Sequence, residues 1–102
     1  MTGSKLVYSV GDCPVCPGFG PVLALVDPVA QKPVFYCPAC GTAWLYPPRS
    51  DRVDEISAIK ELAPAGVVLP SEQDLKNHGV WSKVTRVVNY SDWDDDLDRI
   101  LR

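Results

Sequence analysis

Cys13-Pro14-Val15-Cys16 and, after 20 intervening residues, Cys37-Pro38-Ala39-Cys40-Gly41 decide how this chain is read. Two cysteines separated by two residues reach one ion from a single tight turn. Two such pairs supply the four ligands of a tetrahedral site. The gap has the length expected between C-x-x-C pairs that share a metal. It also leaves room for a hairpin that brings the second turn opposite the first. The spacing therefore predicts Cys13, Cys16, Cys37 and Cys40 as ligands of one structural zinc ion, with iron as the second candidate. Disulfides Cys13–Cys16 and Cys37–Cys40 are disfavoured in a reducing compartment. A thioredoxin-type dithiol needs a helix opening at the motif, which neither pair has.

Working outward, residues 5–10 read as a strand leading into the first pair. Val22-Leu23-Ala24-Leu25-Val26 is an apolar run before Asp27-Pro28 and reads as a second strand, with the return at Gln31-Lys32-Pro33. Residues 34–36 run into the second pair and residues 41–46 leave it, each as a strand. Pro47-Pro48 ends the last of these, because proline cannot donate to a ladder.

The cysteine turns resemble the zinc knuckles of the zinc-ribbon superfamily: Cys-Pro-x-Cys, then Cys-Pro-x-Cys-Gly, with an aromatic, Trp44, soon after. The resemblance covers residues 6–46. It implies ribbon hairpins around Cys13, Cys16, Cys37 and Cys40 and no particular activity, since ribbons occur in transcription factors, ribosomal proteins, enzymes and adaptors. A rubredoxin-like iron site shares the second knuckle, but Pro17 stands where a rubredoxin places glycine.

Past residue 48 the pattern changes. Val53, Ile56, Ile59 and Leu62 recur every three residues and predict a helix over 51–62, stopped by Pro64 and Gly66. Residues 66–69 read as a short buried strand. Ser71 as N-cap and Gly79 at C′ frame a short helix. Residues 81–90 are rich in valine and read as a strand. A last helix is predicted with Ser91 as cap. Asp92, Asp94, Asp95 and Asp96 sit at its positive end, Arg99 and Arg102 at its negative end. Trp93, Leu97, Ile100 and Leu101 form its apolar stripe.

The expected fold class is α+β. Zinc-ribbon β-hairpins at the N-terminus are followed by a small α/β part with two or three short helices. One domain spans 1–102, with the ribbon over 1–48 and the α/β part over 49–102, the latter retaining some helix through its own core.

At 102 residues and 46% hydrophobic, the chain can build one core. Its net charge of −3 argues against a general nucleic-acid binder, whose phosphate contacts need a basic surface. No apolar run approaches the roughly 20 residues of a membrane span, and no signal peptide is evident, so a cytoplasmic protein is expected. The charge is uneven, +1 over residues 1–50 and −4 over 51–102. Four cysteines close the metal shell, and no catalytic set accompanies them. His78, the single histidine, reads as a helix-end or solvent-facing residue. Asp92-x-Asp94-x-Asp96 lacks the glycine and distal glutamate of a calcium loop. The three tryptophans read as core. By exclusion the chain reads as a non-enzymatic zinc-binding module that contacts another protein, adaptor- or immunity-like. Asp94, Asp95 and Asp98, with Glu72 and Asp74, are the candidate contacts to a basic partner. The alternatives are a nucleic-acid-associated ribbon, which requires Lys5, Lys32, Lys83 and Arg86 to cluster, and a rubredoxin-like electron carrier.

Overall fold

The run Val22–Val26 carries no polar residue to turn toward water, and a strand of that kind must be covered on both faces. The computed structural model describes residues 6–13, 20–45 and 57–101. In it, strand β2 (Pro21–Asp27) is buried along its whole length. It lies between β1 (Leu6–Asp12) and β3 (Lys32–Tyr36), and β4 (Thr42–Trp44) continues the sheet beyond β3. Two strands from the second half complete it. β5 (Ser57–Ala58) pairs on the outside of β4, and β6 (Arg86–Asn89) on the outside of β1. The order is β5-β4-β3-β2-β1-β6, every pair antiparallel.

The pleat sorts the core into two layers. Leu23 and Leu25 face a cluster with Val7, Val34, Tyr36 and Ala43, covered by Ile59, Val67, Leu97 and Ile100. Val22 and Ala24 face the other cluster, with Phe35, Trp44, Cys13 and Cys37, covered by Leu75 and Val80. Helix α1 (Ile59–Leu62) and helix α3 (Asp94–Asp98) thus lie on one side of the sheet. Helix α2 (Glu72–Asn77) lies on the other. The expected separate core for residues 49–102 is not what the packing shows: Leu75 and Leu97 are each buried against strands of the first half.

The β2–β3 turn occupies residues 28–31, earlier than the expected return, so Lys32 and Pro33 belong to β3. Buried Asp27 explains the placement. Its Oδ1 accepts the N–H groups of Val29 (2.9 Å) and Ala30 (3.3 Å), and its carbonyl accepts Gln31 N–H at 2.8 Å. In β1 the register against β2 slips between Ser9 and Gly11, and the Gly11 N–H donates to Ser9 Oγ at 3.2 Å. The expected stop at Pro47-Pro48 lies outside the described residues.

Three expectations for the second half are corrected. The helix expected over 51–62 is helical only at Ile59–Leu62, and residues 51–56 lie outside the described set. Ser57–Ala58 is extended because β4 would otherwise leave an open edge of unpaired backbone groups. The strand expected over 81–90 begins only at Arg86. Trp81–Lys83 forms a 3₁₀ turn, fixed by Val80 N–H to Leu75 O (2.8 Å) and Lys83 N–H to Val80 O (2.8 Å). These local bonds at the end of α2 override valine's strand preference. The last helix is only Asp94–Asp98. Ser91 does not cap it but lies in a 3₁₀ turn, Tyr90–Asp92, closed by Trp93 N–H to Tyr90 O at 2.9 Å. The helix stops early because Ile100 and Leu101 are drawn to the segment after α1: Val67 N–H donates to Ile100 O at 3.0 Å, and Val67 bridges Leu101. The stripe Trp93, Leu97, Ile100 and Leu101 nevertheless packs on the sheet as expected.

Around α2 the reading from sequence and the structure coincide. Ser71 Oγ accepts Asp74 N–H (3.1 Å), and Asp74 Oδ2 accepts Ser71 N–H (3.0 Å), a full capping box. Gly79, at φ 72°, makes the left-handed exit. The backbone and hydroxyl of Ser71 hold the Asp74 carboxyl below its ordinary 3.8. The box is therefore complete above that value and opens as the pH falls through the lowered one.

Because α2 and α3 plug opposite faces, Leu75→Ala and Leu97→Ala should each cost about 2–5 kcal/mol. Denaturant titration of the double variant should give the sum of the two within about 0.5 kcal/mol. Strong coupling between them would contradict the two-layer core.

Candidate metal centre

The four-strand meander places both cysteine turns at one end. β1 runs up to Cys13, β2 returns, β3 runs up to Cys37 and β4 returns. The gap between the cysteine pairs is thus spent on β2, its turn and β3. Cys13 is 1% exposed, and its N–H donates to Gly20 O at 3.1 Å, which holds the end of β1 beside the start of β2. Cys37 is fully buried. Its N–H donates to Thr42 O (2.9 Å) and its carbonyl accepts Gly41 N–H (2.8 Å), closing the turn that carries Cys40. Gly41 sits at φ 77°, a left-handed conformation that the turn exit needs.

Among the described residues, Cys13, Cys37 and Cys40 bring their sulfurs within 4.8 Å of one another, a group that can hold a metal ion. Cys13 Sγ and Cys40 Sγ are 3.7 Å apart. A tetrahedral ion with metal–sulfur bonds of about 2.3 Å sets its sulfurs about 3.8 Å apart. That separation far exceeds the roughly 2.05 Å of a disulfide. The fourth expected ligand, Cys16, lies outside the described residues. Cys40 is exposed, and its thiol donates to Thr42 Oγ1 at 3.2 Å. If Cys40 is a thiolate, the same contact serves with the hydroxyl as donor.

Two residues that the sequence reading did not single out shape the site. One is Thr42. The other is Gly20: a Cβ there would lie 2.7 Å from Ala39 Cβ and 3.3 Å from Cys37 Sγ. The backbone entering β2 is thus pressed against the second knuckle, and only glycine allows it. The signal available was Gly18-Phe19-Gly20-Pro21, two glycines just before a strand, which marks close backbone approach. Trp44, the aromatic after the second knuckle, is 3% exposed and packs in the cluster that holds Cys13 and Cys37; its indole Nε1 has no hydrogen-bond partner among the described residues. On the other face, Tyr36 has its hydroxyl pushed above its ordinary value by burial, then by Asp96 and Cys37, with Arg99 opposing.

The acidic candidates do not form one surface. Asp94, Asp95 and Asp98 are exposed on α3, Glu72 and Asp74 on α2, and the two helices lie on opposite sides of the sheet. Several are already engaged. Asp98 accepts the Tyr90 hydroxyl, Asp74 the capping box, and Glu72 pairs with Lys76 at 2.8 Å. Of the basic candidates, Lys83 ends the 3₁₀ turn after α2. Lys32 opens β3 opposite Asp27, while Arg86 pairs opposite Ser9 and reaches Asp12 at 3.3 Å; Lys5 lies outside the described residues. His78 is half-buried at the C-terminus of α2, where its backbone N–H bonds Asp74 O. Among the described residues no helix is long and apolar enough to cross a membrane.

Compared with protein-family models, curated proteins and solved structures, the chain matches none.

The Gly20 contact gives a direct check. Gly20→Ala should cost about 1–3 kcal/mol by overpacking the knuckle. Adding Ala39→Gly, which removes the nearest clashing atom, should recover most of the loss in thermal melts. An unchanged melting temperature for Gly20→Ala alone would mean that the start of β2 is not pressed against the second knuckle.

Proposed function

We propose that the chain holds one structural zinc ion on Cys13, Cys16, Cys37 and Cys40 in a zinc-ribbon arrangement, and works without catalysis by binding another protein. The observation that carries the metal reading is the 3.7 Å separation of Cys13 Sγ and Cys40 Sγ, sulfurs 27 residues apart brought to the edge length of a thiolate tetrahedron. The fourth ligand rests on the sequence: Cys16 follows Cys13 at the C-x-x-C spacing with which two cysteines serve one ion. Sulfur spacing suits zinc and iron equally; Pro17 in the first knuckle favours zinc. Four thiolates leave no open position for an activated water. The ion's work is mechanical: it fastens the end of β1 to the β3–β4 turn across the intervening strand.

Metal analysis of purified protein should give about one zinc per chain and a colourless solution. A red protein would point to iron and to the electron-carrier reading. Zinc binding in ribbon-sized peptides is worth on the order of 10 kcal/mol, so Cys37→Ser should lose the metal and unfold. With Leu75 packed beside Cys13 and Cys37, the helices should go with it. A variant that melts like the wild type would make the metal incidental.

For the partner, the α3 face offers Asp94 and Asp95, both exposed and beside half-buried Trp93. Exposed charges act mainly on association rate, and a neighbouring aromatic can supply affinity. A basic protein captured from lysate should be released by salt. It should also be lost from Asp94→Lys/Asp95→Lys, with zinc content and melting unchanged. Equal retention by wild type and variant would remove α3 from the interface.

A further inference from the structure

The geometry points to Cys13 and Cys40 as an oxidisable pair, which a peroxide converts to a disulfide with release of the ion. This rests on the metal reading above, although the cross-link can be mapped with or without metal. Cys13 and Cys37 are 1% and 0% exposed, whereas Cys40 stands exposed in its turn. Among the described cysteines, an oxidant arriving from solvent therefore meets the Cys40 sulfur. Cys13 Sγ is already in contact with it at 3.7 Å, so the second sulfur is in place to attack.

The Cys40 thiolate attacks one peroxide oxygen. The O–O bond breaks, a sulfenic acid forms and hydroxide leaves. The Cys13 thiolate then attacks the Cys40 sulfur, the S–O bond breaks, and a second hydroxide leaves as the S–S bond forms. Two electrons pass from the sulfurs to the peroxide, and solvent protons convert both hydroxides to water. Once joined, Cys13 and Cys40 can no longer serve as thiolate ligands, and an ion held there would be released.

Which pair closes matters for the fold. A Cys13–Cys40 bond joins the end of β1 to the β3–β4 turn, the same connection that the ion supplies. The oxidised chain should therefore give up its metal and keep its sheet. Disulfides within each knuckle, Cys13–Cys16 and Cys37–Cys40, would leave the two knuckles unconnected and the fold without its fastening.

The test uses the full chain, reduced and metal-loaded, treated with hydrogen peroxide while a chelating dye reads released metal. Digestion on the N-terminal side of aspartate separates residues 12–26 from 27–50, so a cross-knuckle bond appears as a linked pair. Fragmentation then locates it. The expected result is loss of the bound metal, a Cys13–Cys40 linkage, a retained circular-dichroism spectrum, and return of metal binding after reduction by a thiol. Linkages confined to Cys13–Cys16 and Cys37–Cys40, or release of metal with cysteines oxidised singly, would overturn the proposal. If the reduced chain binds no metal at all, the metal reading fails. The linkage map from the same peroxide treatment then decides the pairing separately.

Discussion

A central strand with no side for water sets the terms of this structure. Val22, Leu23, Ala24, Leu25 and Val26 are all apolar and all buried. Burying a side chain such as valine or leucine is worth about 1.5–3 kcal/mol relative to leaving it exposed. A four-strand ribbon alone would leave both broad faces of that strand in water. The second half of the chain therefore splits, α2 going to one face and α1 with α3 to the other, while β5 and β6 close the two edges. The helical elements are covers for the ribbon, not a neighbour to it.

The cysteine turns share in this arrangement. Cys13 and Cys37 belong to the same apolar cluster as Val22, Phe35, Trp44 and Leu75. The sulfurs are therefore positioned by the packing of one sheet face as well as by the turns that carry them. Hydrogen bonds from Cys13 to Gly20 and from Cys37 to Thr42 hold the two buried cysteines in place. The contact at Gly20 fixes how closely the start of β2 approaches the turn that carries Cys37 and Cys40. Packing around the sulfurs draws together the same segments that an ion held by them would fasten, so the cysteine end and the α2 layer are physically one unit.

What could be read from sequence was what short-range chemistry determines. The cysteine spacing, the strands flanking each pair, and the short helix with Ser71 as its cap and Gly79 as its exit all depend on residues a few positions apart. Features set by distant partners were out of reach. Ser57–Ala58 is extended because the edge of β4 needs a partner, and the last helix is short because Leu101 is drawn to Val67. Likewise, exposed acidic residues on two helices looked like one face until the sheet was seen to run between them. Gly20 escaped notice because its role is defined by Ala39 and Cys37, residues far along the chain.

The central claim is that one ion is held jointly by both cysteine turns. X-ray absorption at the metal edge of the loaded chain tests it most directly. The account predicts four sulfur neighbours at about 2.3 Å and no light-atom ligand. A shell of two or three sulfurs completed by oxygen or nitrogen would contradict it, and would mean that the two turns do not close around the ion together.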